Sequence, residues 1–120
     1  MNAVPDIDNT DARIQLTELF LRRTRAEVEQ MRRDVPRIVE GDEDAWRELQ
    51  VNSRRISSMA AGLEMDALSV YARELQELAD LKPAQVHADT QFLLSLTRAI
   101  ELVAMEVNNL FANLRRRPTT

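Results

Sequence analysis

Apolar residues recur at alternating intervals of three and four along most of this chain, and only an α-helix gathers residues so spaced onto one face. The C-terminal part shows the rule without a break: Leu93, Leu96, Ile100, Val103, Val107, Leu110 and Leu114. Trp46, Leu49, Ser53, Ile56, Ala60 and Leu63 repeat it, and Thr24, Val28, Met31, Val35 and Ile38 continue it from a start at Ile14, Leu16, Leu19 and Phe20. A shorter stripe runs through Leu68, Tyr71, Ala72, Leu75, Leu78 and Ala79. With only two glycines in 120 residues, there are few places for these helices to break.

The breaks that do occur separate the seams. Residues 1–10 are polar and read as a flexible lead, and the helical pattern begins at Asp11. Pro36 removes a backbone donor and predicts a kink near Asp34–Val35. Gly41 in "EGDED" suits a left-handed stop, with Asp42 or Asp44 as cap of the next helix. Gly62 reads as the next terminator, Pro83 ends the third helix, and Asp89 or Thr90 opens the last. Arginines 115–117 complement the negative end of that helix. Four seams joined by short links predict an all-α, antiparallel up-down four-helix bundle over 11–115, with room for a short leading helix and a tail at 116–120. Phe92, Leu102 and Phe111 widen the last stripe, so that helix is either central to the bundle or also meets a second subunit.

Composition narrows the chemistry. There is no cysteine, which removes disulfides and thiolate metal sites and suits a cytoplasmic setting. The N-terminus carries no signal-peptide pattern, and no apolar run is long enough to cross a bilayer. A net charge of −4 gives no case for nucleic acid. Phosphate loops and nucleophile motifs are missing. His87 is the single histidine, placed in "KPAQVHADT" between two helices, so sites needing several histidines are excluded and no metal or cofactor is expected. Glu27 with Glu29, and Glu74 with Glu77, read as solvated surface charge.

One surface is less ordinary. Beside the buried seam of the second helix lie Arg47, Val51, Arg54, Ser58 and Ala61, flanked by Arg55 and Ser57. Small residues overhung by arginines leave a helix backbone open to a partner.

This stretch, "SRRISSMAAGLEMDAL" (53–68), resembles the signature of histidine phosphotransfer domains. In that family a small residue precedes the phosphorylated histidine, and an apolar residue, Lys-Gly, small residues, an apolar residue and a turn follow. On this chain the histidine falls at Arg54, the apolar residue at Ile56, Lys-Gly at Ser57-Ser58, the small alanine at Ala60 and the last apolar residue at Leu63. "GDEDAWRELQ" (41–50) and "ARELQELA" (72–79) extend the similarity, which covers most of 14–115. A register shifted by one residue would put Arg55 at the site.

Family members pass a phosphoryl group from an exposed imidazole to the aspartate of a receiver domain. A guanidinium, protonated at every physiological pH, has no lone pair with which to attack phosphorus. The resemblance therefore implies a noncatalytic member that keeps the docking face and has lost the reaction. It would bind a sensor histidine kinase or a receiver domain through 47–61, as a monomer or homodimer. The alternative is a structural homodimer without a signalling role. A third reading, phosphotransfer through His87, needs a histidine outside the recognised helix.

Overall fold

The computed structural model describes residues 6–81 and 90–116, with side chains for 11–81 and 90–114. The described residues form helices α1 (Asp6–Val39), α2 (Glu43–Gly62), α3 (Asp66–Ala79) and α4 (Thr90–Arg116), without a strand. α1 is one continuous helix that starts within the stretch expected to be a loose lead, and it runs through Pro36 to its end. Pro36 lacks the N–H that would have bonded Arg32 O, and the helix ends three residues later, at Val39.

Each helix packs against its two neighbours in chain order, and α4 closes the ring on α1. Cross-helix side-chain pairs give the directions. Arg25 of α1 meets Asn108 of α4, while Arg32, seven residues on, meets Glu101, seven residues back. Arg55 of α2 meets Glu27 near the middle of α1, while Arg37 near its end meets Asp42 just before α2. Neighbouring helices thus run antiparallel, the up-down bundle that four short-linked seams require.

The seams supply the core. Leu21, Met31, Leu49, Ile56, Leu68, Leu75, Leu96, Ile100, Val103 and Val107 are fully buried. Trp46 and Phe92, at the starts of α2 and α4, close one end with ring centroids 5.9 Å apart. Phe92 and Phe111 belong to this core and Leu102 is half-buried, so the breadth of the last stripe is used within the bundle, where α4 touches both α1 and α3. The start of α1 departs from expectation. Leu16 and Leu19 are 48% and 63% exposed, whereas Leu21, outside the expected seam, is fully buried. There α1 borders an open groove of about 460 Å³ against the α2–α3 turn and the end of α4, with Ile14, Leu63, Met65 and Leu114 in its walls.

Two tight corners set the helix order. At the first, Gly41 adopts φ 90°, with its N–H bonded to Ile38 O and the Asp42 N–H bonded to Arg37 O, a Schellman stop. Asp42 then accepts hydrogen bonds from the Asp44 and Ala45 N–H groups through one carboxylate oxygen and pairs with Arg37 through the other. The Ala45 N–H, with Arg37 beside it, holds the Asp42 carboxyl below its ordinary range. The second corner repeats the stop, with Glu64 N–H on Ala61 O and Met65 N–H on Ala60 O. Here the left-handed position belongs to Glu64 (φ 60°), not to Gly62, which is helical. A Cβ on Gly62 would meet nothing within 4 Å.

The two glycines should therefore respond oppositely. Gly62→Ala should stabilise the fold by about 0.5–1 kcal/mol and Gly41→Ala should destabilise it by about 1–2 kcal/mol, both read from urea midpoints. Glu64→Gly should move stability in the direction of Gly62→Ala. Ile100→Ala, in the fully packed seam, should cost about 2–5 kcal/mol. Because the Asp42 carboxyl is depressed on folding, the stability it contributes is complete above its unfolded pKa, roughly 4, and is lost as pH falls through the lower folded value. Asp42→Asn should flatten that acid limb in pH-dependent denaturation.

Candidate partner-binding face

α2 is wedged between α1 and α3, and its rotation is set by Trp46, Leu49, Ser53, Ile56 and Ala60, all buried. Both helices bury small residues: Ser53, Ser57 and Ala60 on α2, and Ser69, Ala72 and Ala79 on α3. Small side chains let helix backbones approach closely, and these two helices share the most extensive contact of the bundle.

With that seam turned inward, Arg47, Val51, Arg54, Ser58 and Ala61 lie on the exposed side of α2, as the spacing predicts. Two residues assigned to the same face do not. Ser57 is buried, because it stands one turn beyond Ser53 on the flank covered by the bundle. Arg55 is 29% exposed and turns toward α1, where it pairs with Glu27 while also donating to Asn52 Oδ1 at 2.9 Å. Of the two arginines that could occupy the position of the family's histidine, only Arg54 projects outward, with 62% of its side chain exposed.

Glu27 is accordingly no solvated carboxylate. It is 12% exposed, and one of its oxygens receives both Arg55 and, at 3.2 Å, Arg23. Its other oxygen is buried without a hydrogen bond. Sequence reasoning missed this because Glu27 precedes a seam residue, Val28, and shares a charged stretch with Glu29. Its position on the α2-facing flank of α1 would have been the available signal. Glu74 and Glu77 are exposed as expected.

The arginines of the strip are each held by a carboxylate of the chain itself. Arg47 lies 3.7 Å from Asp44, and Arg54 Nη2 lies 3.3 Å from Asp80 Oδ1 at the C-terminal end of α3. α3 has no basic residue in its last turn. Two side chains of α2 serve that end instead: Gln50 Nε2 donates to Ala79 O at 2.9 Å, and Arg54 faces Asp80. The strip is thus a row of small side chains bounded by loosely neutralised cations, not an uncompensated positive patch. His87 lies outside the described residues. Among the described residues no group of three or more His, Asp or Glu is placed to hold a metal ion, and no helix is long and apolar enough to cross a membrane.

Compared with known proteins, the chain matches no protein-family model, no curated protein and no solved structure.

The adjacent arginines should separate in stability measurements. Arg55→Ala leaves the mostly buried Glu27 carboxylate with Arg23 alone and should cost roughly 1–3 kcal/mol. Arg54→Ala breaks only an exposed pair and should change stability by less than about 1 kcal/mol. Equal losses would mean that α2 is rotated from the position described.

Proposed function

We propose that the chain is a noncatalytic, phosphotransfer-like adaptor or inhibitor in two-component signalling, docking through the exposed side of α2 onto a receiver domain or a sensor histidine kinase. The observation that supports this reading most is the position of Arg54. It projects from the middle of an outward strip of small residues in an up-down four-helix bundle, where the resemblance would put a reactive imidazole.

The chemistry of that replacement argues for binding without transfer. Nucleophilic attack on a phosphoryl group needs a free nitrogen lone pair, which imidazole has near neutral pH and guanidinium lacks. A guanidinium does match carboxylates, since its planar fork of N–H donors can engage two oxygens at once. The resemblance implies that a receiver presents an acidic pocket where the phosphoryl group would enter. Arg54 would insert into that pocket, with Val51 providing apolar contact and Ser58 and Ala61 allowing close approach. Such a complex occupies the receiver without discharging it.

The test is calorimetric titration of purified receiver and kinase domains with the wild type and two variants. Arg54→Ala should weaken binding by roughly 2–5 kcal/mol if the arginine reaches buried carboxylates. Ser58→Trp should block docking while leaving the fold intact, because Ser58 is exposed. Equal binding by all three proteins would exclude this face as the interface. Incubation with a phosphorylated receiver or kinase should leave no acid-labile phosphate on the chain, and a label mapped to His87 would contradict the noncatalytic assignment.

A further inference from the structure

Arg54 already has a carboxylate partner. Asp80 is the residue that follows α3, and its side chain, 42% exposed, meets Arg54 through one oxygen at 3.3 Å. That is a single contact, and a guanidinium carries five N–H donors. The Asp80 backbone N–H stays within the helix end, bonded to Gln76 O, so its carboxylate is not needed to terminate α3. An acidic residue at this place is in fact unfavourable for the helix, whose C-terminus already carries partial negative charge. With no basic residue in the last turn of α3, Arg54 is, among the described residues, the cation paired with Asp80 at this end.

We propose that Asp80 is a built-in competitor for the docking arginine, an intramolecular carboxylate that stands in for those of a receiver pocket and thereby sets the affinity of the face. This rests on the docking reading above. When Arg54 enters an acidic pocket, either it leaves Asp80 unpaired or Asp80 stays beside it and faces the incoming carboxylates. Both consequences oppose binding to acidic partners. An exposed pair of this kind holds its arginine only weakly, so the competition trims affinity without abolishing it. The docking footprint accordingly extends beyond α2 onto the C-terminal end of α3, and a partner with a weakly acidic pocket is discriminated against.

The experiment titrates purified receiver domains of the organism that encodes the chain against the wild type, Asp80→Asn, Arg54→Ala, the double variant, and Glu74→Gln as an exposed charge control on the same helix. Asp80→Asn should tighten binding by about two- to five-fold, the range that release of an exposed ion pair allows. The gain should vanish when Arg54 is also alanine, and Glu74→Gln should bind as the wild type does. Asp80→Ser should reproduce the effect of Asp80→Asn, and urea denaturation should show that neither replacement weakens the fold. If a receiver binds the wild type but Asp80→Asn leaves affinity unchanged or lower, the competition is disproved while docking stands. An equal gain in the Arg54→Ala background, or in Glu74→Gln, would reduce the effect to overall charge and disprove it too. Failure of every receiver to bind any variant would overturn docking onto receivers and this inference with it.

Discussion

The rotation of α2 about its own axis is the constraint on which the proposed docking surface depends. Leu49, Ser53, Ile56 and Ala60 are all fully buried along one line of that helix, and no other rotation would bury them together. Consecutive helical residues are about 100° apart, so fixing this line separates neighbours in sequence. Arg54 is sent to solvent and Arg55 to α1; Ser58 is exposed and Ser57 buried. The extensive contact of α2 with α3, with Gln50 bonded to Ala79 O, adds to the constraint.

Electrostatics then follows the packing. The chain is acidic overall, at net charge −4, yet α2 gathers three arginines on and beside its outer side. Each meets a carboxylate from a different place: Asp44 in the first turn of α2, Asp80 after α3, Glu27 on α1. The pairs differ in burial, and burial decides what each does. The Arg55–Glu27 pair joins two helices and is mostly removed from water, so breaking it leaves a mostly buried carboxylate with Arg23 alone. The exposed pairs of Arg47 and Arg54 contribute little to stability and can exchange partners, which is the property a docking residue requires.

Much of the bundle was legible in the sequence because helical burial writes a period that survives in a single chain. The α2 and α4 seams, the Gly41 stop and the Asp42 cap all appear where the spacing and the turn chemistry put them. The failures share a cause, which is that periodicity locates a stripe but not its edges. Leu16 and Leu19 have the spacing of core residues, but the flank of α1 turned to the bundle there is that of Ile14, Thr17 and Leu21, which line the groove. Ser57 and Glu27 sit on flanks whose exposure depends on where the neighbouring helix lies. Gly62 drew attention as a terminator because glycine is the usual left-handed residue, yet the main-chain geometry places that conformation two residues later, at Glu64. At the candidate site, the exposed row from Arg47 to Ala61 could be read from spacing. The partners of its arginines could not, since Asp80 and Glu27 are brought in by other helices.

Because the sequence contains no cysteine, single thiols introduced along α2 can be labelled without background. Rates of labelling for Arg54→Cys, Arg55→Cys, Ser57→Cys and Ser58→Cys, measured on the folded protein, test the orientation of α2 most directly. The structure predicts fast reaction at 54 and 58, an intermediate rate at 55 and strong protection at 57. Fast reaction at 57 together with protection at 54 would contradict it and remove the exposed strip on which the proposed docking rests.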